Sequence, residues 1–415
     1  MSKWTLIAVG DLCGSRSLEA NPFDQEIKNL IQGSSISIGN LEAPLDPNSK
    51  PMTKSGPSIA MNESQLDAVL TSGIVGYSLA NNHMMDYGLQ GLMATKNYLS
   101  SRNLISFGAD VSECGAYEPT FYSIDSGITI ALIGISEREF GAAENENGGV
   151  AILSTPLFLE AIKKANNLSD VLIVSVHGGI ELSFLPPPIW RKALREMIDL
   201  GVDIVLGHHP HVIQGIENYK DGFIAYSLGD FWWPGSGENK IGKRSIGLLI
   251  EFTFDAKKIK EIILHPVFLR KDYKVKFIKG KELRRVVDFI HRLSSIYSRP
   301  SYDKLWLEYA SHLYQERYAG RIFGIGAINN NMKDFLRYIS VGFLGFLEKF
   351  FKIKLNTLEQ QKLFFLNIIR NPSQRNICEI GICNETSFSS HLPERIKQLE
   401  IEFSSICSSI SEDNS

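Results

Sequence analysis

The sequence has few cysteines, and they follow no pairing pattern. Five occur among its 415 residues, namely Cys13, Cys114, Cys378, Cys383 and Cys407. An odd and scattered set excludes a disulfide framework and the paired spacing of a zinc finger. We therefore expect a protein of a reducing compartment, the cytoplasm.

Neither sign of charge is in large excess. Lys and Arg number 43, Asp and Glu number 46, and the formal net charge is -3. We expect no nucleic-acid partner, because nucleic-acid binding calls for a dense basic face that this sequence lacks. The hydrophobic residues, 44% of the total, suffice for the cores of about two globular domains.

The sequence also lacks a long uninterrupted apolar run. The first apolar segment ends at Gly10 and is far shorter than a signal peptide or a transmembrane helix. In the apolar stretch Phe335–Phe351, the longest uncharged run, Tyr338–Leu347, is too short to span a bilayer. We expect no transmembrane segment. A buried helix and a helix that contacts a partner or a membrane surface both remain open for this stretch.

Short apolar runs rich in Ile and Val recur through roughly the first 270 residues. They predict buried strands at Thr5–Val9, Ser35–Ile38, Ile74–Leu79, Ile128–Ile133, Val171–Val176, Ile204–Leu206 and Phe223–Ser227. Helix-like stretches such as Pro188–Leu200 lie between them, which indicates a layered α/β domain. Two successive strand candidates, Ile246–Phe254 and Ile262–Leu269, predict an antiparallel end to the sheet.

The pattern becomes helical after about residue 275. Leu283, Val286, Ile290 and Leu293 recur at helical spacing, and a second such series begins at Trp306. We divide the chain into an α/β domain at 1–273, a mostly helical domain of unknown role at 274–403 and a tail at 404–415. The composition of the tail predicts disorder.

Nearly every predicted strand ends in a carboxylate, an amide or an imidazole. In chain order these residues are Asp11, Asn40, Glu42, Asn82, His83, His177, His208, His209 and His211. The carboxyl ends of strands in an open α/β sheet form one crevice, so we expect these side chains to converge. Oxygen and imidazole ligands suit Mn, Zn or Fe(II) better than Ca or Mg.

Taken singly, these residues have simpler interpretations. Asp11 fits a turn or a helix cap, and a lone His177 fits a buried structural histidine. The three imidazoles of His208, His209 and His211 lie within four residues and favour metal binding. Independent capping does not explain a potential ligand after almost every strand.

Five motifs occur in order between residue 4 and about residue 270. They are Val9-Gly10-Asp11, Gly39-Asn40-Leu41-Glu42-Ala43-Pro44-Leu45, Ser78-Leu79-Ala80-Asn81-Asn82-His83, Gly207-His208-His209-Pro210-His211 and Ala225-Tyr226-Ser227-Leu228-Gly229. Their order and spacing resemble the CapA family of bacterial poly-γ-glutamate capsule synthesis proteins, within the calcineurin-like metallophosphoesterases. The resemblance implies a four-layer β-sandwich flanked by helices, with one or two divalent metal ions at the strand ends.

The resemblance also implies roles for single residues. The metal ligands are Asp11, Glu42, Asn82, His177, His209 and His211. His83 is the catalytic residue that assists the leaving group, while Arg16 and His208 are candidates for contact with an anionic substrate.

The chain departs from the family pattern at three places. Related phosphoesterases open with Asp-x-His, whereas here only Asp11 is present. Asp230 stands where relatives have Asn, and it is either an additional pocket carboxylate or a turn cap. Gly178 stands where a Trp is common.

The resemblance implies a metal-dependent hydrolase that acts on its substrate with a metal-activated water. The substrate is anionic, either a glutamyl amide or peptide polymer or a phosphoester. The alternative is a non-catalytic component of poly-γ-glutamate capsule biosynthesis that binds the polymer. Fold-level analogy does not decide between these functions.

Overall fold

The computed structural model describes residues 3–14, 21–46, 48–234, 242–319, 362–383 and 392–413. Arg16 and the stretch Phe335–Phe351 lie outside the described residues. The chain forms two compact units. The first comprises Met1–Met52, Ser58–Tyr302 and Gln398–Ser415, and the second comprises Thr53–Pro57 and Asp303–Lys397.

Sixteen strands are described, in chain order. They are β1 (Lys3–Leu12), β2 (Ile36–Leu41), β3 (Gly76–Ser78), β4 (Ile105–Phe107), β5 (Ala109–Ser112), β6 (Thr120–Ser123), β7 (Thr129–Ser136), β8 (Asn147–Val150), β9 (Val171–His177), β10 (Ile204–His208), β11 (Ile216–Tyr219), β12 (Gly222–Ala225), β13 (Asp230–Trp232), β14 (Ile246–Asp255), β15 (Lys258–Leu269) and β16 (Val275–Phe277).

The helices of the described residues lie between these strands and after them. They are α1 (Gln25–Gln32), α2 (Glu63–Leu70), α3 (Gly88–Ser100), α4 (Glu113–Tyr117), α5 (Pro156–Leu168), α6 (Pro188–Asp199), α7 (Gly280–Tyr297), α8 (Tyr302–Tyr314), α9 (Pro372–Cys383) and α10 (Glu394–Asp413). Residues 362–370 are also helical. A 3-10 turn spans Lys243–Ser245, and a π-helical turn spans Gln315–Ala319.

Two large sheets form the centre of the first unit. One has eight strands in the order β16-β15-β14-β1-β2-β3-β4, with β13 also paired to β1, and the other has six in the order β11-β12-β10-β9-β7-β6. Strands β1 and β2 are parallel, as are β9 and β10, whereas β14, β15 and β16 pair antiparallel. The predicted antiparallel end of the sheet is confirmed.

The two sheets pack against each other and are covered by helices on their outer faces. The rings of Phe252 in β14 and Phe223 in β12 lie 5.2 Å apart and join the sheets. On one side, Ile27 of α1 and Leu92 of α3 share a buried cluster with Ile7 of β1. On the other side, α5 contacts β7 and β9, and α6 contacts β10 and β12. The predicted α/β sandwich flanked by helices is confirmed.

The apolar pattern explains why these segments form these layers. Every residue from Leu6 to Leu12 in β1 is buried, as expected for a strand covered on both faces. Helix α6 instead buries one face, formed by Trp190, Leu194, Met197 and Ile198, as its spacing predicted.

The helical texture of the C-terminal region is confirmed, but its division differs from the prediction. Helix α7, which begins after residue 273, belongs to the first unit. The second unit contains α9 and most of α8, where Trp306 Nε1 donates to Asn376 Oδ1 at 3.2 Å. No helix among the described residues has the length and apolarity needed to cross a membrane.

The prediction of disorder for residues 404–415 was wrong where the structure describes them. Residues 404–413 are the second half of α10. Phe403, Ile406, Cys407 and Ile410 are buried, and their spacing of three, four and seven residues places them on one face of the helix. The serine-rich composition of this segment suggested disorder, although its apolar residues have helical spacing.

Candidate metal centre

The carboxyl ends of four strands bring the predicted polar residues together. Asp11 near the end of β1 is fully buried, as is Glu42 immediately after β2. His177 ends β9 and His208 ends β10, and their backbones pair in register. His208 Nδ1 lies 2.9 Å from Asp11 Oδ1, so the six-stranded sheet meets the eight-stranded sheet at this point.

The absence of a side chain at Gly10 allows a further carboxylate to enter the site. The Asp11 amide donates to Gly229 O at 2.9 Å, and a Cβ on Gly10 would lie only 2.0 Å from that oxygen. This close approach lets β13 pair with β1 in parallel, with Asp230 beside Asp11. Asp230 is buried and accepts from Arg244 Nε at 2.6 Å, so it belongs to the site and does not cap an exposed turn.

The side-chain amide of Asn40 holds the two central carboxylates. Its Nδ2 donates to Asp11 Oδ1 at 2.9 Å and to Glu42 Oε2 at 3.2 Å. Asn81 Nδ2 in turn donates to Asn40 Oδ1 at 3.1 Å, which fixes the orientation of the Asn40 amide. Asn40 was placed among the converging residues from the sequence without being given a role, and Asn81 was not singled out.

The other oxygen of Glu42 has no hydrogen-bond donor. Glu42 Oε1 is buried and unpartnered within the described residues, although 3.5 Å separates it from His177 Nε2. Asn82 Oδ1 lies 3.1 Å from the same His177 nitrogen, and His209 Nδ1 lies 3.2 Å from it. Glu42 Oε1, Asn82 Oδ1 and His209 Nδ1 therefore all lie within 3.5 Å of His177 Nε2.

His211 connects the three carboxylates. Its Nδ1 lies 2.8 Å from Asp230 Oδ1 and 3.4 Å from Asp11 Oδ2, and its Nε2 lies 3.7 Å from Glu42 Oε1. Both His209 and His211 have positive φ angles, 94° and 57°. Such angles are uncommon outside glycine, and strain of this kind persists where the surrounding structure imposes it.

Burial sets the ionisation of these groups. Burial and the charges of Asp11 and Asp230 raise the pKa of Glu42 well above its usual value. Burial raises the pKa of Asp11 too, but His208 and His211 more than compensate, and that pKa is lowered. Burial and the neighbouring His209 lower the pKa of His177, which keeps its imidazole neutral.

His211 differs in its ionisation from His177. Burial and Arg244 lower its pKa, but the contacts with Asp230 and Asp11 outweigh both and raise the pKa to about 9. A cationic His211 therefore neutralises part of the carboxylate charge in the metal-free protein.

The donor set fits a divalent cation. Three overlapping groups have ligand atoms within 4.8 Å of one another: Glu42, His209 and His211; Asp11, His211 and Asp230; and Asp11, Glu42 and His177. Carboxylate and imidazole ligands without cysteine are compatible with Zn, Mn or Fe. A cation would give the buried Glu42 oxygen the partner that it otherwise lacks.

His83 lies beside this group and is held by a carboxylate. Its Nδ1 is 2.7 Å from Asp86 Oδ2, which also accepts from the Ile59 amide at 2.8 Å. The ring of His83 contacts that of Trp233 at 6.4 Å. Asp86 follows the Asn82-His83 pair in the sequence, but no role was predicted for it.

The structure describes one of the two residues predicted to contact the substrate. Arg16 lies outside the described residues. His208 is only 2% exposed, and its contact is with Asp11.

Trp190 explains the glycine at position 178. A Cβ on Gly178 would lie 2.6 Å from Trp190 Cη2 and 2.6 Å from Glu137 Cγ. The indole of helix α6 thus occupies the space beside β9, and the strand end has room only for glycine.

Comparison with known proteins assigns the chain to a family. A profile described as "Bacterial capsule synthesis protein PGA_cap" matches residues 5–233, more than half of the chain. The chain belongs to this family. The predicted CapA resemblance is therefore confirmed.

Two Bacillus relatives match at similar levels. "PGA biosynthesis protein CapA" of Bacillus subtilis (strain 168) is 32% identical over 235 residues, and the match covers 54% of this chain and 61% of that protein. "Capsule biosynthesis protein CapA" of Bacillus anthracis is 29% identical over 245 residues, with 55% and 59% covered. The chain thus spans less than two thirds of the length of either relative.

Solved structures show only distant likeness. A hypothetical protein from Thermus thermophilus has a TM-score of 0.38 at 12% identity and covers 63% of this chain and 98% of its own. Vps29 of Chaetomium thermophilum has a TM-score of 0.28 at 11% identity and covers 67% and 97%. At these scores neither likeness bears on function.

Proposed function

We propose that this capsule synthesis family member is a metal-dependent hydrolase with an anionic substrate. The observation that carries the proposal is the convergence of Glu42 Oε1, His177 Nε2, His209 Nδ1 and Asn82 Oδ1 without a donor for the carboxylate. A glutamyl amide or peptide polymer suits the capsule synthesis relatives. A phosphoester is the second substrate class, in keeping with the resemblance to metallophosphoesterases.

The proposed ligands are Asp11, Glu42, Asn82, His177, His209 and His211, and Asp230 joins them or orients His211. A bound divalent ion supplies Lewis acidity and lowers the pKa of a bound water. Asn40 orients both central carboxylates. We assign His208 to the same task, since its imidazole contacts Asp11 and is almost fully enclosed.

The Glu42→Gln variant tests the proposal. Without metal, burial and the charges of Asp11 and Asp230 already disfavour the charged form of Glu42, so a neutral amide should leave the melting temperature unchanged or higher. With metal, we expect affinity to fall by more than about 100-fold, beyond the usual cost of losing an outer-shell partner. Calorimetric titration with Mn²⁺ and Zn²⁺, and the metal-induced rise in melting temperature, measure the two effects.

A matched control is Glu251→Gln, which makes the same change at a half-buried carboxylate that pairs with His265 on the eight-stranded sheet. It should bind metal as the unmodified protein does. Equal metal affinity in Glu42→Gln and the unmodified protein would remove the basis for the proposed centre.

Hydrolysis is assayed with Mn²⁺ on a generic phosphoester and on poly-γ-glutamate. Turnover of either identifies the substrate class. Tight stoichiometric metal without turnover of either substrate would contradict the hydrolase and favour the non-catalytic, polymer-binding component.

His83 is the proposed general acid, and its replacement gives a second prediction. Asp86 holds Nδ1, so proton transfer to a leaving group falls to Nε2. His83→Gln should lower kcat by about 10²–10⁴-fold for a substrate with a poor leaving group. An activated nitrophenyl leaving group needs no proton, and its hydrolysis should change far less.

The check is a comparison of kcat for two substrates that differ only in their leaving group, together with metal content. Metal content should stay at the level of the unmodified protein. An equal loss for both leaving groups would assign His83 to binding or structure.

A further inference from the structure

Arg244 approaches the candidate metal centre from outside the family-matched region. It lies in the 3-10 turn Lys243–Ser245 before β14, whereas the family match ends at residue 233. Its Nε donates to Asp230 Oδ2 at 2.6 Å. Asp230 also contacts His211, so one carboxylate connects Arg244 to the proposed ligands.

An aromatic ring supports the guanidinium. The Cζ atom of Arg244 lies 4.6 Å from the ring centroid of Trp233. The same indole contacts the ring of His211 at 4.8 Å. Stacking on an aromatic face limits the positions of the guanidinium and reduces the entropy lost when it binds a ligand.

Part of the guanidinium fork is unused. Arg244 Nη2 is buried and has no hydrogen-bond partner within the described residues. Leaving a buried donor unsatisfied is unfavourable, and guanidinium donors match the paired oxygens of a carboxylate or phosphate. The side chain as a whole retains 26% exposure, whereas Nη2 itself is buried.

We propose that Arg244 recognises an oxyanion of the substrate, a carboxylate or a phosphate, through its planar fork beside the candidate metal centre. The proposal rests on the proposed function in that the substrate is anionic. Asp230 and Trp233 position the fork. Arg244 is thus a further candidate for the substrate-contact role that the sequence analysis gave to Arg16 and His208.

The test measures anion binding and does not require turnover. The full-length protein is titrated with inorganic phosphate and, separately, with a short γ-glutamate oligomer, each with and without Mn²⁺. We expect Arg244→Gln to weaken binding of at least one probe by about tenfold or more, the loss typical of a charge-assisted contact. The probe that is affected identifies phosphate or carboxylate as the recognised group.

Two further variants make the result specific. Arg292→Gln removes the same charge from an exposed arginine paired with Glu402 and should bind both probes normally. Arg244→Lys keeps the charge but lacks the fork, and it should bind more weakly than the unmodified protein. Metal affinity should be unchanged in Arg244→Gln, whereas its melting temperature should fall because the buried Asp230 loses its charged partner, so binding is compared at a temperature at which the variant is folded.

Several results would overturn the proposal. They are failure of the unmodified protein to bind either probe, undiminished binding by Arg244→Gln or Arg244→Lys, and loss of metal affinity in Arg244→Gln, which would make Arg244 a structural partner of Asp230. Absence of turnover or metal in the unmodified protein would contradict the hydrolase. Anion binding that depends on Arg244 would still be measurable in that case.

Discussion

Replacing both His209 and His211 with alanine is expected to reduce hydrolysis to background and to lower divalent metal affinity by more than about 100-fold, since each proposed ligand matters more than an outer-shell partner. The imidazole of His209 contacts that of His177, whereas His211 contacts the carboxylates of Asp11, Glu42 and Asp230. Two of the three groups of candidate ligands contain one or both of these histidines and lose them in the double variant. The third group, Asp11, Glu42 and His177, keeps its members.

The double variant also exposes a difference between the metal-free and metal-bound proteins. Loss of His211 removes the imidazole partner of Asp230 and one of the two imidazole partners of Asp11, which keeps His208, so the metal-free variant should unfold at a lower temperature. Circular dichroism at a temperature below that transition establishes that the variant is folded before metal content and activity are compared.

The matched control is His265→Ala. This histidine lies on β15 of the eight-stranded sheet, where its imidazole pairs with Glu251 away from the site. The variant should retain metal and activity. Retention of metal by a folded His209→Ala/His211→Ala protein would require ligands other than those we propose.

The strand ends were predictable because local patterns define them. Buried apolar runs identified β1, β9 and β10, and the residues that follow such runs must lie at one edge of a parallel sheet. Because β9 belongs to the other sheet, the place of His177 depends on how the two sheets pack. The positions of Asp11 and Glu42 do follow from those two facts. Their hydrogen-bond partners do not, because the amide of Asn40 has several possible donors and acceptors until the backbone is fixed.

The positions of Asp230 and Arg244 depend on the pairing of strands that lie far apart in the sequence. Strand β13 has three residues and no alternating pattern, and it pairs with β1 because Gly10 lets the two backbones approach closely. No local signal separates an aspartate in such a strand from a turn cap. The departure of Asp230 from the asparagine that the family resemblance implies was the available signal, and its arginine partner was not apparent.

For the C-terminal helix α10, a local signal was present in the sequence, but composition pointed the other way. Phe403, Ile406, Cys407 and Ile410 carry a clear helical period, yet the serines and acids between them suggested disorder. Composition averages over all faces of a helix, whereas burial depends on one face. Periodicity was the better guide here.

Phe403→Ala should therefore destabilise the first unit by about 3–5 kcal/mol, the usual cost of truncating a fully buried phenylalanine. Phe403 is buried between Phe184 and Phe289, with ring centroids 5.0 Å and 5.1 Å away. Phe184 lies in the segment between β9 and α6, and Phe289 lies in α7. The measurement is chemical unfolding, with the free energy compared between the variant and the unmodified protein.

The control lies two residues away on the same helix. Ile401 is 59% exposed, so Ile401→Ala should change stability by no more than about 0.5 kcal/mol. Equal, small effects of both substitutions would mean that α10 does not pack as described. A large effect of Phe403→Ala alone would establish α10 as part of the first unit.

Glu400 of α10 also binds Lys243, the neighbour of Arg244. Truncation before residue 398 should therefore impair both stability and anion binding.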